Sequence, residues 1–64
     1  MKEPLILEGE ELIEQFNNSD GHPALILKDA DGNFRLREWD DVHGWGDRTY
    51  RDLTRLRKAI VGEY

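Results

Sequence analysis

The tripeptide Leu-Ile-Leu occurs twice, at Leu5, Ile6 and Leu7 and again at Leu25, Ile26 and Leu27. An unbroken apolar run, read as a strand, is greasy on both faces, whereas a strand with one wet face alternates. A chain of 64 residues has material to cover one face of a small sheet. The other face then needs a second copy of the chain or a different partner. The pattern points to association rather than to chemistry.

Size and composition lead the same way. A domain this short buries only about 60% of the surface of its unfolded chain, and natural domains of this size draw on disulfides, metals or oligomerisation. Cysteine is absent, which removes disulfides and thiolate metal sites and fits a reducing compartment. Two histidines make a poor transition-metal site, so no metal or cofactor is expected. The length suits one domain over residues 1–64. No run approaches the ~20 apolar residues of a membrane span. The start, Met1, Lys2, Glu3 and Pro4, lacks the long apolar core of a signal peptide. A cytoplasmic protein that does not engage membranes is the expectation.

The net charge of -5 is unevenly spread. Residues 1–33 hold Lys2 and Lys28 against eight acids, while residues 34–64 hold seven basic residues against six acids. The acidic balance argues against a surface devoted to nucleic acid.

Along the chain, residues 4–7 read as a strand, with Pro4 tolerable at its start. Residues 9–17 read as a helix, because Leu12, Ile13 and Phe16 share a helical face. Residues 24–28 read as a second strand. Asp31-Gly32 then signals a hairpin into a third strand over residues 34–39, where Phe34 and Leu36 alternate with Arg35, Arg37 and Trp39. Residues 40–47 read as a loop. Residues 48–61 read as an amphipathic helix, capped by Asp47 or Thr49 and ended by Gly62. The predicted fold is α+β in the order β-α-β-β-α, a small three-stranded mixed sheet with both helices packed on one face.

Four features compete as sites. The uncovered sheet face would carry Arg35, Arg37 and Trp39 with Ile6 and Ile26 beside them, and Trp and Arg dominate binding energy at interfaces. Arg48, Arg51, Arg55 and Lys58 form a basic helical stripe that suits phosphates, though a charged outer face is ordinary for a surface helix. His43 among Asp40, Asp41 and Asp47 could serve a metal-dependent hydrolase, but no paired nucleophile or second histidine stands at a working spacing. Asp29, Asp31 and Asn33 begin like a calcium loop, yet Phe34 stands where glycine is required and Asp40 where glutamate is. No catalytic residue emerges. The expectation is a small non-enzymatic interaction module, acting as a homodimer or as a regulatory or inhibitory subunit of another protein. Nucleic-acid binding through the last helix is the alternative.

Overall fold

The structure, a computed structural model, describes residues 4–63. Four antiparallel strands form a meander in the spatial order β1-β2-β3-β4, followed by one helix. They are β1 (Glu11–Asn17), β2 (Pro23–Lys28), β3 (Phe34–Asp40), β4 (Gly44–Tyr50) and α1 (Leu53–Glu63). No helix among the described residues is long and apolar enough to cross a membrane.

Side-chain-to-backbone hydrogen bonds build the first two hairpins in the same way. In the first turn, Asn18 Oδ1 accepts from the backbone N–H of Asp20 and of His22, each at 3.0 Å. In the second, Asp29 Oδ1 accepts from Asp31 at 3.0 Å and from Asn33 at 2.9 Å. Short Asx side chains that bond two residues on are the usual nucleus of such turns. Gly32 then takes a φ of +87°, a left-handed conformation that costs glycine nothing. The Asp31-Gly32 hairpin is thus present where the residues place it. The Asp20-Gly21 pair makes a matching turn, not the end of a helix.

Register decides what each face carries. Leu36 pairs with Ile26 and Arg48, and Arg37 pairs with Leu25 and Asp47. Because side chains alternate along a strand, Ile26, Phe34, Leu36, Glu38, Arg48 and Tyr50 face the front. Leu25, Leu27, Arg35, Arg37, Trp39, Trp45 and Asp47 face the back. α1 packs on the front, where Leu56, Ile26 and Leu36 form the buried cluster and Phe16, Phe34, Tyr50, Leu53 and Ile60 pack around it. Asp52 caps the helix: its Oδ1 accepts from Arg55 N–H at 2.8 Å, which satisfies one of the orphan donors of the first turn.

The three-stranded, two-helix expectation is therefore overturned by four strands and one helix. Residues 9–17 hold a strand because the register slips between Leu12 and Glu14. A bulge adds one residue and moves the alternation onto the other face, so Leu12, Ile13 and Phe16 acquire a spacing that imitates a helix. The expected loop over 40–47 is the turn and first half of a hairpin into β4, paired with β3 from Gly44 to Tyr50. The last helix begins at Leu53, with Asp52 rather than Asp47 or Thr49 as its cap, and continues past Gly62. Residues 4–7 are not a strand. They begin a strap that lies across the back of the sheet.

Candidate interaction surface

The strap is held to the sheet by one side chain. Arg37 is 1% exposed and every N–H of its guanidinium is used. Nε and Nη2 donate to the Asp47 carboxylate at 2.6 and 2.8 Å. Nη1 and Nη2 donate to the Glu10 carboxylate at 2.6 and 2.8 Å. The remaining Nη1 proton goes to the carbonyl oxygen of Leu5 at 2.7 Å. Two bidentate carboxylate pairs on one guanidinium match its planar fork geometry.

Each component is placed by its own segment. Arg37 and Asp47 are cross-strand partners in β3 and β4. Glu10 is brought in by a turn in which its N–H donates to Leu7 O and its Oε1 accepts from Leu7 N–H. Gly9 lies against Ala30, where an added Cβ would stand 3.4 Å from the Ala30 Cβ. The strap thus spans the back face from Arg37 to the β2–β3 turn. Beneath it Leu25 and Leu27 are completely buried. Hydrogen bonding to Arg37 holds both the Glu10 and the Asp47 carboxyls below their ordinary pKa, and the same bonds raise that of Arg37. Arg35 extends the network, with Nε donating to Asp29 Oδ2 at 3.1 Å and Nη1 to Asp47 Oδ2 at 3.4 Å.

This geometry removes the bare sheet face expected from the sequence: the front lies under α1 and the back under the strap. Ile26 belongs to the front-face core and Arg37 to the buried network, so neither has surface to offer a partner. Arg35 is one-third exposed at the rim. Trp39 is half-buried on the back face, edge-to-face with Trp45 at a centroid distance of 5.6 Å. Its Nε1 donates to Asp41 Oδ1. Ile6 sits on the strap, 43% exposed. Its neighbours Leu5 and Leu7 are 39% and 51% exposed, and Leu12 and Ile13, at the start of β1, are 39% each. The wet apolar residues thus cluster on the strap and on β1, while Val42 in the β3–β4 turn and Val61 on α1 stand exposed singly.

The other expected sites are dispersed. Arg48 lies on β4 and Arg51 in the bend before α1, which leaves only Arg55 and Lys58 of the basic stripe on the helix. Arg55 Nε stands 3.5 Å from Asp52. His43 Nδ1 meets Asp40 Oδ2 at 3.3 Å in an exposed turn, while Asp47 turns to the back face and binds Arg37. His43, Asp40 and Asp47 do not converge. Among the described residues, no group of three or more His, Asp or Glu side chains is arranged to hold a metal ion. An open recess of about 480 Å³ lies on the front face where α1 does not reach, lined by Asn18, His22, Glu38, His43 and Arg48 among others. Across it Asn18 Nδ2 donates to Glu38 Oε2 at 2.9 Å, and His22 Nε2 stands 3.3 Å from Asp41 Oδ2.

Glu10, Asp47 and Trp45 matter here: the sequence does not mark Glu10 or Trp45 as site residues, and it suggests Asp47 as a helix cap or a partner of His43 rather than as the partner of Arg37. For Trp45 a signal existed, because two tryptophans flank the Asp40–Gly44 turn at equal distance. For Glu10 there was none, since nothing local says that it reaches a residue 27 positions away. Comparison with family models, with curated proteins and with solved structures returns no match.

Proposed function

We propose that this chain is a small non-enzymatic protein-interaction module that docks through the strap and the adjoining start of β1. One observation carries this reading. Leu5, Ile6, Leu7, Leu12 and Ile13 are all between 39% and 51% exposed within nine consecutive positions, while the buried core holds only six hydrophobic side chains among the described residues. Scattered exposed apolar residues are normal, but a run of large ones marks an interaction surface. The strap is also pre-ordered by the Arg37 network, so a partner docking on it meets a reduced conformational cost. Trp39 and Arg35, residue types favoured as anchors, stand on the same face.

Site-specific photocrosslinking tests this. The chain is expressed in its native cells with p-benzoylphenylalanine in place of Ile6, and separately in place of Lys58 on the outer face of α1. Position 6 is expected to capture one discrete protein, either a second copy or a different chain, and position 58 none. Adducts from position 58 alone, or equal adducts from both, refute the docking surface. Sedimentation across concentration then separates a homodimer from a heteromeric complex.

A further inference from the structure

We infer that β1 is a docking edge for a basic, extended segment of a different protein, which adds to the sheet as a fifth strand. This mode of binding rests on the reading of the chain as an interaction module and names its partner's chemistry. β1 and β4 are the two edges of the sheet, and an edge strand presents a row of unpaired backbone donors and acceptors. Extended peptides add to such edges, with backbone bonds supplying affinity and side chains supplying specificity.

The two edges are not equivalent. On β4, Asp47 is committed to Arg37, Trp45 to Trp39 and Tyr50 to the core, and the other exposed side chains are Arg48, of the wrong sign for a basic strand, and the neutral Thr49. Gly44 and Gly46 offer no side chain. β1 presents Glu11, Leu12, Ile13, Glu14 and Gln15, all exposed, and the backbone of α1 lies over β3 and β4, reaching β1 through Phe16 at the core and the Arg57–Glu14 pair. The bulge sits at one end of β1 and leaves Glu14 through Asn17 in regular register with β2.

Charge selects the occupant. Glu8, Glu11 and Glu14 are exposed on or just before β1, whereas Glu10 is spent on Arg37 and Glu11 stands across from Lys28. Twofold pairing of β1 with a second copy, at full overlap, centres on Glu14 and sets it against itself, and like charges directly opposite are destabilising. Glu14 already draws one cation across its own chain, Arg57 Nη2 at 3.3 Å. The acids that repel a second copy attract a strand with lysine or arginine on alternate positions.

The probe is an acetylated, amidated heptapeptide of alternating lysine and valine, with its glutamate counterpart as control, each titrated into the 15N-labelled chain. The lysine peptide is expected to shift backbone amides within residues 11–17 and slow their exchange, to bind at least about tenfold tighter than the glutamate peptide, and to weaken with added salt. The double variant Glu11→Lys, Glu14→Lys, checked for folding by circular dichroism, is expected to reverse the preference. Equal binding of both peptides, shifts centred on residues 44–50, or no shift at millimolar peptide overturns the edge assignment. If position 6 still captures a partner in that case, the interaction module survives and only the β1 mode falls. If position 6 captures nothing, the module itself falls.

Discussion

Removing charge from Glu10 should harm the native chain and help one of its variants. In the native chain, the Glu10 carboxylate receives two charge-assisted bonds from Arg37 at 2.6 and 2.8 Å and its side chain is 5% exposed. Glu10→Gln keeps the shape but sets an amide N–H₂ against a guanidinium, and loss of such a bond costs about 2 kcal/mol. Arg37→Met keeps apolar bulk but strands two carboxylates, and breaking one side of a buried ion pair costs about 3–5 kcal/mol. A chain of 64 residues has roughly 3–10 kcal/mol of stability in total, so this variant stands near the edge of folding. There the sign reverses. With Arg37 gone, Glu10 is an uncompensated charge beneath the strap, and Glu10→Gln neutralises it, returning about 1 kcal/mol.

Urea titrations followed by tryptophan fluorescence measure all four corners of this cycle, with sucrose in every sample to keep Arg37→Met folded at the start. The expected coupling is about 3 kcal/mol, the difference between a loss of about 2 and a gain of about 1, at the top of the range for residues in one network. A Glu10→Gln effect of the same sign and size in both backgrounds refutes the idea that Arg37 holds the strap through Glu10. A stable Arg37→Met whose urea dependence matches the native chain does so as well.

Acid should loosen the same contact: Glu10 and Asp47 have folded pKa values depressed below the ordinary 4.5 and 3.8, so their contribution is present above those values and is lost as pH falls through the folded ones. The urea midpoint should hold from pH 7 to about 5 and drop below about 4.5, a drop that Glu10→Gln combined with Asp47→Asn should reduce; an unchanged acid slope in that double variant would contradict the assignment. Leu56→Ala removes the one fully buried side chain among the described residues of α1 and should cost about 2–5 kcal/mol, read as a lower urea midpoint with helix signal lost first. Gly32→Ala should cost about 1 kcal/mol, because φ is +87° although a Cβ there meets nothing within 4 Å. Gly46→Ala has equal room at an ordinary φ and should be neutral or slightly stabilising in the same titration.

The parts of the fold that were legible in the sequence are those set by local chemistry. Asp31-Gly32 between two strand-like runs marks a hairpin because the Asx side chain and the glycine φ act within five residues. Phe34 through Trp39 alternates because β3 is central, with an apolar front under α1. Asp20-Gly21 carries the same turn signal, but the segment before it has its alternation broken by the bulge at Ile13, so the strand it closes was hidden. β4 was hidden differently. Its outward residues Gly46, Asp47, Arg48 and Thr49 are polar or small, and it owes its place to pairing with β3 rather than to any hydrophobic pattern. Of the site, Ile6 and Trp39 were identifiable as residues near a wet surface. Arg37 was identifiable as a residue of consequence, but not as a buried one, because the carboxylates that neutralise it come from segments 10 and 27 positions away.

The bare sheet face that the two Leu-Ile-Leu runs lead one to expect is absent, because the chain covers its own sheet by using one run over the other. Leu25 and Leu27 are completely buried on the face where the segment carrying Leu5, Ile6 and Leu7 is clamped, through the Leu5 carbonyl and Glu10, by an arginine whose charge is balanced by two acids. The clamp explains why an arginine occupies the middle of β3 at all: a strap without regular backbone pairing needs a multivalent donor, and a guanidinium has five. Covering the sheet in this way moves the apolar excess outward by one layer rather than removing it. Three large side chains that could have formed a third face of core stand half in water on the strap. Any partner therefore meets Leu5, Ile6 and Leu7 rather than the sheet, and reaches the sheet itself only at an edge.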